Sequence, residues 1–277
     1  MITSFTAAGK TIRMSRIFKE DGRAAMVAIN QGIAMGPGKG IELIRPVVEK
    51  LMPEHPDSFT IHRGFAVSTL DLFAGKAALI LKSTNSTRFF GPQETPVATV
   101  QDAVMLGADA VSVGLSLADT REEATVAHIA RFISEAEKAG MPTVAHAYPN
   151  GSLIDDSVRY SVESVGYAVR VALELGIDII KTFWTGSGDT FARIVEMGAP
   201  SKIVISGGPR CKTLRECFDM TWQGIQAGAH GITYGRNIWQ HEYPAAVLRG
   251  LVAIVHKNAA VDEAMEIASD LAGTKLV

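Results

Sequence analysis

Apolar runs of strand length recur along the chain, with helical patterns between them. The runs are Met26–Asn30, Ser58–His62, Ala77–Ser83, Ala110–Leu115, Pro142–Tyr148, Ile177–Trp184, Lys202–Gly207 and Gly231–Gly235. They are short, rich in β-branched residues and not alternating, which suits parallel strands buried on both faces. Thr99–Leu106, Arg121–Ala139, Val158–Leu175 and Leu214–Ala227 carry apolar residues at helical spacing, and each stops at a glycine. The phrases Leu-Gly-Ala-Asp-Ala-Val (106–111), Leu-Gly-Ile-Asp-Ile-Ile (175–180) and Ala-Gly-Ala-His-Gly-Ile (227–232) resemble one another, as successive helix-to-strand joints of one barrel would.

Eight such units predict an α/β fold, a single (β/α)8 TIM barrel spanning residues 1–277 as one domain. A short helix at about 14–21 is expected to close the N-terminal mouth, and a helix at about 261–271 to end the chain. The alternative is a doubly wound open sheet. Against it, the first strand runs into Gly32-Ile33-Ala34-Met35-Gly36-Pro37-Gly38 rather than a dinucleotide fingerprint opening a helix.

In a barrel of this kind the chemistry sits at the C-terminal ends of the strands. Lys181 stands near the end of the sixth run. A lysine is costly to bury charged, and a buried amine tends to lose its proton and become a nucleophile toward carbonyls. Strand periodicity places Val144, His146 and Tyr148 on one face, and Ile179, Lys181 and Phe183 on one face of the next strand. Tyr148 and Lys181 are therefore expected to share a cavity, where the phenol can exchange protons. Asn30, His62, Lys82, Asn85 and Arg88 complete the polar rim. At the seventh and eighth strands, Ser206-Gly207-Gly208 and Gly235-Arg236-Asn237 offer backbone N–H groups and a guanidinium to an anion. That is the common phosphate position of barrel enzymes.

Composition narrows the class without changing the picture. Of the 277 residues, 47% are hydrophobic, ample for a large core, and the net charge of −2 argues against general nucleic-acid affinity. No run approaches a membrane span, and Met1–Lys10 lacks the apolar core of a signal peptide, so a cytoplasmic location is expected. Cys211 and Cys217 fit no metal or redox spacing and are expected to be free thiols. The seven histidines are scattered, so neither a metal nor another cofactor is expected.

Four motifs carry a family resemblance: Asp178-Ile179-Ile180-Lys181-Thr182 with Thr185-Gly186; Ile205-Ser206-Gly207-Gly208-Pro209; Tyr234-Gly235-Arg236-Asn237-Ile238-Trp239; and Tyr148-Pro149-Asn150-Gly151. Across about residues 15–257 the chain resembles the Schiff-base aldolases of the archaeal-type fructose-bisphosphate aldolase and DeoC-like group. That group includes 2-amino-3,7-dideoxyheptulosonate synthase and the phosphorylated autoinducer-2 thiolase. The resemblance implies a metal-independent class I aldolase with Lys181 as the Schiff-base lysine and Tyr148 as the proton-transfer residue. Ser206, Gly207, Gly208, Gly235 and Arg236 would hold the substrate phosphate. Asn30, His146, Asn150, Lys82 and Trp184 would line the substrate, with Lys82 also a neighbouring cation. The partner implied is a small phosphorylated carbonyl compound, and the assembly a homo-oligomer.

Two departures stand out. The family's strand-one aspartate is Asn30 here, which hydrogen-bonds but cannot act as a base. The arginine of the family's Tyr-Pro-Arg-Gly is Asn150. Acyl or ketol transfer on a phosphorylated dicarbonyl, and a non-catalytic phosphosugar-binding barrel, stand as alternatives.

Overall fold

The computed structural model describes residues 4–89 and 91–277. Met1–Thr3, the head of the segment read for a signal peptide, lie outside them. Eight parallel strands close into a barrel: β1 (Ala24–Ile29), β2 (Ser58–Ile61), β3 (Ala78–Lys82), β4 (Ala110–Leu117), β5 (Thr143–Pro149), β6 (Ile179–Thr182), β7 (Lys202–Ser206) and β8 (Gly231–Tyr234). β8 pairs with β1 to complete the ring, so no edge is left open. At least one helix lies between each strand and the next, and several start on side-chain caps. Thr99, Ser161, Ser187 and Thr213 each accept the backbone N–H three residues on, satisfying a donor the helix cannot. The expected (β/α)8 barrel is the observed one.

Strand alternation divides the core in two. Outward residues such as Val27, Phe59, Leu81, Val113, Ile180 and Ile205 pack beneath the helices. Inward residues Ala24, Met26, Ala78, Ile80, Ala110, Val144, Ile179 and Val204 fill the barrel floor, together with Ile17 and Phe18. The floor plug comes from the N-terminal helix, which runs Phe5–Ile17 and not 14–21 as the sequence suggested. Ile17 is its only buried residue, so apolar periodicity marks the helix weakly; its start is set by the Ser4 side chain, which accepts from Ala7 N–H. The C-terminal helix is Val261–Ala272, within a residue of expectation.

The repeated joints have a structural reason. The fourth residue of each phrase precedes an even strand and accepts a backbone N–H from the odd strand beside it. Leu79 N–H donates to Asp109 at 3.1 Å, Thr143 N–H to Asp178 at 2.8 Å and Ile203 N–H to the His230 ring at 3.2 Å. Asp57, ahead of β2, takes Ala25 N–H at 2.6 Å in the same manner. Cations of the N-terminal segment then pair with the three aspartates: Lys19 with Asp57, Arg16 with Asp109 and Lys10 with Asp178, at 3.2, 3.1 and 3.0 Å.

Candidate active site

Above the apolar floor the inward positions turn polar, and the reactive side chains gather there. Lys181 is directly in register with His146 on the neighbouring strand. The lysine is 5% exposed, and among the described residues no carboxylate stands within ion-pair distance of it. Burial, then the charges of Lys82 and Arg236, lower its pKa to about 7. A lysine so placed offers a free amine at neutral pH far more often than an ordinary lysine, whose pKa is about 10.4.

Lys82 is also enclosed, 1% exposed, but it has a counter-ion: Glu94 Oε2 lies 3.5 Å from Nζ. Burial depresses its pKa, and the attraction of Glu94 opposes this. Glu94 was not anticipated from the sequence. It is carried over the barrel by the loop after β3, where Thr84–Asn85 pair antiparallel with Thr95–Pro96. Thr84 Oγ1 donates to Glu94 Oε2 at 2.7 Å and accepts Gly114 N–H at 2.8 Å. A Cβ on Gly114 would overlap the Glu94 carboxyl carbon, so the mid-strand glycine makes the niche.

Tyr148 donates its hydroxyl proton to Ser206 Oγ at 2.9 Å, and its ring stacks on Phe183 at 4.2 Å. Burial pushes the phenol pKa up, so the group is a proton donor at neutral pH. His146 sits 3.0 Å from Ser112 Oγ and is held neutral by burial and by Lys181 and Lys82. His62, read from the sequence as part of the polar rim, has a pKa lowered to about 4 by burial and by Lys82. Its ring nitrogens face two backbone carbonyls, Nδ1 that of Lys82 at 3.2 Å and Nε2 that of Asn30 at 3.1 Å, and Asn85 Nδ2 lies 2.9 Å from Nε2; the neutral ring has one N–H and donates to one of the two carbonyls. Asn30 and Asn150 each bury a side-chain oxygen that has no partner among the described residues, and such an orphan acceptor is costly unless a ligand satisfies it.

Ser206, Gly207 and Gly208 face Gly235 and Arg236 across the top of β7 and β8. Gly208 has φ +58, a left-handed conformation that glycine adopts without strain. Arg236 donates to Gly208 C=O at 2.9 Å. Asn237, the third residue of the Gly235-Arg236-Asn237 segment, grips the loop by donating to Gly207 C=O at 2.7 Å and accepting Cys211 N–H at 2.8 Å. The loop walls a recess of about 330 Å³ shared with Phe183 and Trp184. Trp184 is turned away from the barrel axis, its ring 5.2 Å from Phe191 and against Gly224. It follows Phe183 by one position, so strand alternation sends it outward, and it walls the recess rather than the space around Lys181. A larger recess of about 500 Å³, mostly apolar, is lined by Ile29, Ile33, Ile41, Ile44 and Phe65 together with Glu42, His62 and Ser68; Lys181 and Lys82 do not line it.

The arrangement offers an enclosed amine, a phenol donor and an anion cradle at one rim. Comparison with known proteins gives the family. The description "DeoC/LacD family aldolase" matches residues 24–241. The chain is 32% identical to the 2-amino-3,7-dideoxy-D-threo-hept-6-ulosonate synthase of Halobacterium salinarum, covering 94% of this chain and 96% of that one. It is 33% identical to the 3-hydroxy-5-phosphonooxypentane-2,4-dione thiolase of Escherichia coli, covering 94% and 86%. Its structure resembles an archaeal fructose-1,6-bisphosphate aldolase whose catalytic lysine is covalently bound to the carbinolamine intermediate. That match has a TM-score of 0.81 and 30% identity, covering 89% of this chain and 99% of that one. The chain belongs to the DeoC/LacD family of aldolases.

Proposed function

We propose that Lys181 forms a Schiff base with a small phosphorylated ketone or ketose, and that the enzyme makes or cleaves the carbon–carbon bond beside it. The observation that carries this reading is an enclosed lysine with cations near it, no carboxylate of the described residues within ion-pair distance, and a pKa lowered to about 7. The neutral amine adds to the carbonyl carbon, and loss of water from the carbinolamine leaves a protonated imine. In cleavage, the bond between the α carbon and the hydroxyl-bearing β carbon breaks, and its electron pair forms the carbon–carbon double bond to the former iminium carbon. The fragment that leaves is an aldehyde, its hydroxyl proton passing to a base, and an enamine remains on Lys181. Proton return to carbon and hydrolysis of the imine free the lysine. Tyr148, protonated and hydrogen-bonded to Ser206, is positioned to donate in these steps. Ser206, Gly207, Gly208, Gly235 and Arg236 hold the phosphate, which orients the carbonyl from a distance. Asn30 and Asn150 present their unpaired oxygens to substrate hydroxyls, and Asn30 selects among carbonyl substrates rather than serving as a base.

Borohydride reduction with dihydroxyacetone phosphate tests the reading. A stable adduct is expected on the peptide carrying Lys181 and on no peptide of Lys181→Ala. Absence of any adduct across a range of phosphorylated ketones would overturn it. The similarity to the thiolase favours acyl transfer as a second reading; strict dependence of turnover on coenzyme A would select it. We further propose a homo-oligomer working in the cytoplasm, a reading supported by exposed apolar side chains such as Leu43, Phe65 and Val67.

A further inference from the structure

Lys82 poses a problem that the aldolase reading leaves open. Its ammonium nitrogen is enclosed and has no hydrogen-bond partner among the described residues. An isolated buried lysine sheds its proton, and a neutral Lys82 would do nothing for Lys181. What stands against this is Glu94, 3.5 Å away. The carboxylate is held from three sides. The antiparallel pairing of Thr84–Asn85 with Thr95–Pro96 returns the chain over β4. Gly114 leaves the space that the carboxyl group fills. The Gly114 N–H occupies Thr84 Oγ1, so the hydroxyl proton of Thr84 is directed at Glu94 Oε2, an arrangement that suits an ionised acceptor.

We propose that Glu94 is a positioning residue for the aldolase reaction: it keeps Lys82 an ammonium inside the barrel, and that fixed charge keeps Lys181 an amine. The inference rests on the Schiff-base reading of Lys181. The remaining groups leave the pair as the adjustable element. Lys181 faces Lys82, Arg236 and, in register, His146. Lys82 faces Glu94, with His62 bonded to its carbonyl and His146 nearby. Glu94 is also felt by Tyr148. The histidines are held neutral and the phenol protonated, so they add no charge near pH 7, and Arg236 is always charged. Burial of Lys181 and the two cations act in one direction. Glu94 is the group that sustains the first of those cations, Lys82.

The test is the pH profile of imine trapping with dihydroxyacetone phosphate and cyanoborohydride, read on the Lys181 peptide. Wild type, Glu94→Gln, Lys82→Met and the double variant are compared. If Glu94 acts through Lys82, the midpoint moves to higher pH by about one unit in each single variant. Trapping at pH 7 then falls by about fivefold and recovers in alkali. The double variant shifts no further than Lys82→Met alone. Glu94→Asp, which keeps the charge and shortens the reach, is expected to lie between wild type and Glu94→Gln. It also serves where the glutamine variant fails to fold. A midpoint that stays in place or moves toward acid in Glu94→Gln overturns the proposal, as does a double variant that sums the two single shifts. Failure to trap wild type at any pH would instead overturn the Schiff-base reading itself.

Discussion

Lys181 and Lys82 carry the same side chain in one barrel and keep different company, one beside cations and the other beside a carboxylate. The difference matters more than the depth of burial, which is nearly equal. Tyr148 is similarly defined by its surroundings. Burial holds its proton, and Ser206 fixes where that proton points. Tyr148→Phe keeps the stacking on Phe183 and removes the proton. Turnover is expected to fall by about 10²–10⁴-fold, while borohydride still traps Lys181; loss of trapping and turnover together would show that the tyrosine positions the lysine instead. Strand alternation made Lys181 and Tyr148 legible in the sequence, since a two-residue period fixes facing once the strands are known. Glu94 was not legible because it lies in a loop, where no period applies. The trace it left is Gly114, a glycine in the middle of a buried strand.

At the level of elements, the strands were readable because both their faces are buried and their composition says so. The helix Phe5–Ile17 was misplaced because one buried residue imposes almost no pattern. The helix-to-strand joints were visible as a repeated phrase, and the repeat proves to be one acceptor at the head of alternate strands. His230 is the exception among the four. To accept Ile203 N–H its Nδ1 must be unprotonated, and burial with Lys202 and Arg23 lowers its pKa to about 4. The unfolded chain, with histidine near 6.5, binds the proton more readily. This contribution to stability is therefore complete above about pH 6.5 and is lost as pH falls toward about 4. His230→Asp restores an acceptor that needs no such neutrality. The fall in melting temperature between pH 7 and pH 5 should be smaller in that variant than in wild type. Part of the fall will persist, since His62 is depressed in the same direction.

Over the whole molecule, the two ends of the barrel have separate tasks. The candidate catalytic side chains occupy the C-terminal rim, while the N-terminal helix ties the opposite end through Lys10 and Arg16 and plugs it with Ile17. A chain lacking everything before Phe18 should lose at least the roughly 1.5–3 kcal/mol of burying one isoleucine, measured by urea unfolding. Imine trapping on Lys181 should persist under conditions where the shortened chain remains folded. A loss of trapping in the folded, shortened protein would show that the ends are coupled.

The alternating joints also divide the closed ring into four two-strand staves, β1β2, β3β4, β5β6 and β7β8, each fastened by its own acceptor. A circular permutation that opens the chain between staves leaves every fastening within one continuous segment. One that opens the chain within a stave puts the two halves of a fastening at opposite ends of the polypeptide. The places to cut and rejoin this barrel are therefore the connections from β2 to β3, β4 to β5 and β6 to β7.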